Sequence, residues 1–287
     1  MAEIIDEDPY PPQGLDLSKP SIARVYDYFL GGTANWAIDR AAGDVLIQRF
    51  PGIRETALAN RLFLRRVVRY LIKQGIHQFI DIGSGVPTVG NTHEVADEAS
   101  PDTHVVYVDN EPVAVAHSTI LLEQHGDLAR HATINADLRA PEHLWEKVAE
   151  TGKINLDEPV GLLVLAVLHV AQPGPDGTDV GSKSIAKLRE LLPSGSYLAL
   201  SVAGTTAETA DTMQDLKESY AKAGIDGILR NEDEFRELFG DFALIEPGVT
   251  WTHDWHTEEA GPDEPATPTD EVIAGQSALL AGVAKKA

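Results

Sequence analysis

From residue 76 onward the sequence alternates between short apolar runs rich in β-branched residues and stretches with helical spacing. The apolar runs fall at 78–82, 104–109, 132–135, 160–168, 196–202, 242–245 and 278–283. Strand–helix alternation requires a mostly parallel sheet with helices on both faces, because parallel neighbours need a crossover. The last two runs break the rule. The connection WTHDWHTEEAGPDEPATPTDEV carries no helical stripe, and strands joined without a crossover helix pair antiparallel. The pattern therefore predicts an α/β fold with a seven-stranded, mostly parallel sheet and one antiparallel strand near an edge. The acidic, proline-rich part of that connection, 258–271, reads as a mobile surface loop.

The N-terminal quarter lacks strand-like runs. Residues 1–17 read as a flexible leader and 18–75 as a helical cap or lid. Residues 76–287 form the ligand-binding domain, one compact unit with the cap. Ile22, Val25, Tyr26, Phe29 and Leu30 lie on one helical face, and Gly31–Gly32 supplies a stop and a hinge. A second helical stretch covers 35–50. A third covers 55–74, with Leu64, Val67, Val68, Leu71 and Ile72 as its stripe.

Composition narrows the partners. The formal net charge of -22 disfavours nucleic acid, whose binding draws on clustered cations. The basic run RLFLRRVVRY at 61–70 reads as a local patch or a solvated helix face. No cysteine is present, which excludes disulfides and thiolate chemistry and fits a cytoplasmic protein. The longest apolar run, 160–170, is too short to span a bilayer. No His/Glu pair has metal-ligand spacing in a helix, and no G-x-S-x-G elbow occurs. His253 and His256 near Asp254 read as a polar loop more readily than as a metal site.

In open α/β sheets ligands bind at the carboxyl ends of the strands. The first strand there runs into Gly83-Ser84-Gly85-Val86-Pro87-Thr88, and Asn91 with Glu94 predicts the next helix start. The second ends in Asp109-Asn110. The alternative for Asp109 alone is a helix cap; with the glycine loop it reads as the acceptor for both hydroxyls of a ribose. The loop lacks the third glycine of a dinucleotide fingerprint, and Asp81 would repel a pyrophosphate. Asp81 suits a cationic ligand, and S-adenosylmethionine supplies an ammonium, a sulfonium and no phosphate. Asp137, at the end of the third strand beside Leu138, reads either as a turn residue or as an acceptor for the adenine amino group. Ala166 and His169 close the fourth strand. His169 is a general-base candidate and equally a structural histidine.

The motifs DIGSGVPT, VVYVDNEPVAVAH, NADLRAP and LLVLAVLHV, in that order, resemble those of an actinobacterial S-adenosyl methyltransferase family once called domain of unknown function 574. PSIARVYDYFLGG with NWAIDR, and FGDFALIEPGV, resemble that family's N- and C-terminal blocks. The resemblance spans 18–286 and implies the Rossmann-like class I methyltransferase fold with extra N-terminal helices. It implies Asp81, Gly83 and Gly85 at the methionine end of the cofactor, Asp109 at the ribose and Asp137 near adenine.

The candidate cofactor residues are thus Arg24, Tyr28, Asp81, Gly83, Ser84, Gly85, Asp109, Asn110, Asp137, Leu138 and Ala166. Arg24, Asp27 and Tyr28 share a helix face, and Arg24 and Tyr28 read either as a cover for the methionine carboxylate or as surface groups. Asn35, Trp36 and Asp39 are candidates for the substrate mouth, and His169 or Asp39 for the catalytic base. The expected activity is methyl transfer from S-adenosylmethionine to a small molecule, leaving S-adenosylhomocysteine. The rival readings are a non-catalytic nucleoside sensor and a nicotinamide-dependent oxidoreductase. The acceptor atom and the oligomeric state are not written in any motif.

Overall fold

β-branched residues on both faces of a strand bury it twice, as a parallel sheet under two helical layers requires. The computed structural model describes residues 17–287 except 88–89, 207–209, 223–224, 263 and 265–278. Within them a sheet runs in the order β3-β2-β1-β4-β5-β8-β6. Its strands are β1 Gln78–Ile82, β2 His104–Asp109, β3 His131–Asn135, β4 Gly161–Leu165, β5 Tyr197–Ala203, β6 Ala243–Leu244, β7 Thr250–Trp251 and β8 Leu279–Lys285. β1 to β5 pair in parallel. β8 is reversed and pairs antiparallel with β5, β6 and β7. The reversed strand lies near the edge, as the sequence predicts.

The sheet has eight strands rather than seven. The additional strand is β7, whose Trp251, at the start of the connection read as having no helical stripe, pairs with Leu280 of β8. Two residues are too few for an alternating pattern to register. The fourth run also ends early, at Leu165, because Ala166 turns to a φ of 56°. The leader, except residue 17, and most of the 258–271 loop lie outside the described residues.

Successive strand residues enter opposite layers. Ile80, Val106, Leu162 and Leu200 pack with Leu144, Ile185 and Leu188 of α6 (Pro141–Glu150) and α7 (Gly181–Leu191). Phe79, Val105, Leu163 and Ala199 pack with Phe63, Val67 and Leu71 of α3 (Ile53–Lys73) and Val95 of α4 (Thr92–Ala99). On that same layer, Arg66 of the basic run is fully buried. It donates through Nε to the Trp255 carbonyl at 2.8 Å and through Nη2 to the Thr252 carbonyl. The run is therefore not simply a solvated face: Arg66 ties the 252–255 loop to α3. His256 is held by Glu258 and by the Glu246 carbonyl.

A third apolar cluster joins α1 (Ile22–Phe29), α2 (Ala37–Arg49), the start of α3 and α8 (Ala210–Lys222) through Val25, Phe29, Leu46, Ile53, Met213 and Leu216. It includes Ala203 and Leu279, register partners at the end of β5 and the start of β8. This assembly therefore stands over the edge of the sheet where the parallel strands end.

Candidate functional site

The carboxyl ends of β1, β2 and β4 open into a cavity of about 670 Å³, within the range of small-molecule sites. Its floor is the loop after β1. Gly83 and Gly85 have φ of 68° and 66°, the left-handed region open to glycine. A Cβ on Gly83 would lie 2.4 Å from Val167 Cγ2, whereas one on Gly85 meets nothing within 4 Å. The first glycine is required for packing, and the second leaves backbone bare toward open space. The Gly83 N–H donates to the Val108 carbonyl at 2.8 Å, which fixes the loop against β2. Val86 is buried and Pro87 half-buried; Thr88 lies outside the described residues.

Asp109 organises the wall. Its Oδ2 accepts from Gly85 N–H and its Oδ1 from Glu111 N–H, each at 2.8 Å. Burial raises its pKa, and the two backbone donors oppose the rise. Asp81, one strand over, accepts from Thr92 Oγ1 at 2.6 Å. Burial pushes its carboxyl up to about 6, Thr92 and Arg61 pull it down, and Asp109 adds repulsion. A buried carboxyl held so high is stabilised by an arriving cation. On the helix side, Glu94 accepts from the N–H groups of Gly90 and Asn91, the predicted helix start.

The α1 roof differs from expectation. The apolar stripe, with Ile22, Val25, Tyr26 and Phe29, lines the cavity together with Arg24. Arg24 is buried and donates to Asp39 Oδ2 at 2.8 Å and Glu111 Oε1 at 3.1 Å. Asp39 also accepts from Ser21 N–H and Trp36 N–H. It is fully buried behind Arg24 and is not in the cavity wall. Tyr28 points away, donating to Asp44 Oδ1 at 2.7 Å, with Arg54 over its ring. Asp27 accepts from Ala34 N–H and Asn35 Nδ2 and so folds the double-glycine turn back on α1. Trp36 and Asn35 are buried and do not line the cavity.

At the far wall Ala166 takes its left-handed conformation with its N–H donating to the Ser201 carbonyl at 3.0 Å and to Ser201 Oγ at 2.9 Å. Such strain in a non-glycine residue clusters at functional sites. Ser201 donates to Asn60 Oδ1, Asn60 to Tyr26 Oη, and Tyr26 to the Ala57 carbonyl. His169 follows, half-buried, its Nδ1 without a hydrogen-bond partner. Burial, assisted by the charge of Arg230, pushes its pKa down to about 4.

Of the sequence candidates, Arg24, Asp81, Gly83, Ser84, Gly85, Asp109, Asn110, Leu138, Ala166 and His169 meet in this one cavity. Tyr28, Asp39 and Asp137 do not line it. Burial opposes ionisation of Asp137, but Arg139, whose Nε lies 3.0 and 2.9 Å from its two oxygens, holds the carboxyl below its ordinary value. Ala136, Leu138 and Arg139 present the β3 end to the cavity instead. Sequence reasoning missed Tyr26, Asn60, Arg61, Glu111 and Tyr220, all lining residues. Only Glu111, two places after Asp109, carried a local signal. Among the described residues no group of three or more His, Asp or Glu is arranged to hold a metal ion, and no helix is long and apolar enough to cross a membrane.

Asp81 and Asp109, the carboxylates at the ends of β1 and β2, suit a cationic nucleoside, while two of the wall's cations are already engaged, Arg24 by Asp39 and Glu111 and Arg139 by Asp137. Residues 9–287 match the model of the S-adenosyl methyltransferase family, and the chain belongs to that family. A candidate methyltransferase from Thermobifida fusca YX is 38% identical, with a TM-score of 0.83 over 96% of this chain and 98% of that one. A protein of the domain-of-unknown-function 574 family from Streptomyces avermitilis MA-4680 is 33% identical, with a TM-score of 0.80 over 94% and 98%. Magnesium protoporphyrin IX methyltransferase from Synechocystis PCC 6803, solved with S-adenosylhomocysteine, shares the fold at 14% identity and a TM-score of 0.53 over 91% and 93%. No curated protein matches the chain. The fold is that of a class I methyltransferase, and the protein is an S-adenosylmethionine-dependent methyltransferase.

Proposed function

We propose that the cavity above β1, β2 and β4 holds the cofactor with its ribose at Asp109 and its amino group at Asp81, and that the methyl acceptor is a small molecule. Gly83, Ser84 and Gly85 would give the amino-acid part close backbone contact. Asn110 and Leu138 would flank the adenosine, with Asp137 acting through Arg139 at the adenine end. Arg24, tied to Asp39 and Glu111, would brace the roof. The observation that carries this reading is the convergence in one cavity of the bare Gly85 backbone, the high-pKa Asp81 and a doubly anchored Asp109.

When bound, S-adenosylmethionine supplies an electrophilic methyl group. The chain's own residues orient the acceptor, exclude water and take up a proton where the acceptor releases one. The small-molecule size of the cavity and the net charge of -22 favour a metabolite over a nucleic acid. The absence of cysteine supports a cytoplasmic setting.

Calorimetric titration with S-adenosylhomocysteine tests the cofactor assignment. Micromolar binding to the wild type, weakened at least tenfold in Asp109→Ala, is the expected result. Equal binding to both proteins would remove Asp109 from the site.

A further inference from the structure

Behind the main cavity lies a second, smaller chamber of about 70 Å³. It sits between α1, the start of α3, α8 and the ends of β4 and β5. Its wall is mostly apolar, from residues such as Phe29, Ile53, Ala203, Leu216 and Leu279. Tyr26, Ala166, His169 and Tyr220 line both spaces, so the two meet at these residues.

The polar groups around the chamber divide into committed and uncommitted ones. Tyr26 Oη donates to the Ala57 carbonyl, and Thr56 Oγ1 donates to the Gly52 carbonyl. His169 Nδ1 is sealed from solvent without a hydrogen-bond partner, and the hydroxyl-bearing Tyr220 lines both spaces with it. Polar groups buried without partners are costly, and a ligand group that pairs with them recovers that cost. We propose that this chamber is the acceptor subsite, and that it takes part of a small aromatic molecule whose phenolic hydroxyl meets His169 and Tyr220. The inference rests on the cofactor reading of the main cavity.

Charge selects the hydroxyl over an alkylammonium. No carboxylate lines the chamber among the described residues; its charged lining residue is Lys217, and Arg230 acts on His169 from nearby. An ammonium would enter this space without a counter-ion. A hydroxyl that gains negative charge as it reacts is favoured by the same two cations. The wall selects the aryl over a small alkyl alcohol: Phe29, Ile53, Leu216 and Leu279 offer an apolar surface to a ring edge, with the unpartnered His169 Nδ1 as the polar atom that receives the hydroxyl. Burial lowers the basicity of His169, which suits the more acidic, phenolic hydroxyl. Size sets how much enters. At about 10–15 Å³ for each water, the chamber admits only a few heavy atoms, and the remainder of the acceptor stays in the main cavity.

The reaction balances as follows. A lone pair of the acceptor oxygen forms the new O–CH3 bond, the S–CH3 bond breaks with its electrons remaining on sulfur, and the hydroxyl proton passes to the His169 imidazole. The imidazolium then releases that proton to water. The products are the aryl methyl ether and S-adenosylhomocysteine.

The test titrates phenol and toluene into the 287-residue chain saturated with S-adenosylhomocysteine. It is followed by calorimetry and by nitrogen NMR of labelled histidine. Phenol should bind saturably, at least tenfold tighter than toluene, and shift one ring resonance that is missing in His169→Gln. Tyr220→Phe should weaken phenol severalfold and leave toluene unchanged. Leu216→Trp, which fills the chamber, should abolish phenol binding, with S-adenosylhomocysteine binding as the control for its fold. Equal binding of phenol and toluene, or phenol binding unchanged in Tyr220→Phe, overturns the assignment. If S-adenosylhomocysteine itself fails to bind the wild type, the cofactor reading falls, and this inference falls with it.

Discussion

Asp81 should trade stability for binding, and the trade can be measured. Its carboxyl is raised from 3.8 to about 6 in the folded protein, chiefly by burial. The folded state therefore binds a proton more tightly than the unfolded chain between those values. Stability falls as pH rises through that window, and the ionised group remains a burden at pH 7. The rise corresponds to about 3 kcal/mol. Asp81→Asn removes the charge while its amide oxygen still accepts from Thr92. In urea denaturation followed by circular dichroism, the variant without cofactor should be more stable at pH 7 by up to about 3 kcal/mol, and the gain should vanish below pH 4. Cofactor affinity should move the opposite way, because the ammonium loses its partner. A variant less stable than wild type at pH 7, or one that binds S-adenosylmethionine normally, would refute the reasoning.

The remaining predictions follow from the roof and the floor. Asp39→Ala leaves the buried Arg24 guanidinium without its main partner and should cost about 3–5 kcal/mol in denaturation. Near-normal stability with lost turnover would instead assign Asp39 to the chemistry. Gly83→Ala combines a left-handed backbone with a clash against Val167 and should destabilise by about 2–4 kcal/mol. Gly85→Ala meets no neighbour and should cost only about 1–2 kcal/mol, yet reduce cofactor affinity by placing a methyl group in the cavity. Melting curves with and without S-adenosylhomocysteine separate these two effects.

The strand-borne half of the site was legible because strand ends are locally encoded. An apolar run that carries Asp81 next to its last residue, or ends at Asp109, fixes where the side chain emerges, and Gly83 and Gly85 after the first run announce a loop that needs positive φ. The helix-borne half was not legible. α1 is buried on more than one side, so its amphipathic pattern could not choose between Tyr26 and Tyr28 for the cavity wall. Asn60 and Arg61 lie on a helix whose orientation is set by packing of Phe63, Val67 and Leu71 on the sheet. Arg66 looked like part of a solvated basic face because its acceptors, the Thr252 and Trp255 carbonyls, are remote in sequence. Asp137 stands where a strand-end acid was expected, but Arg139 two residues on captures it, a local ion pair that the motif did not announce.

The most direct measurement is a crystal structure of the protein with S-adenosylhomocysteine. The account predicts both ribose hydroxyls on Asp109, the amino group at Asp81 and the sulfur turned toward His169 and the small chamber. A nucleoside seated elsewhere, or one whose ribose does not touch Asp109, would contradict it.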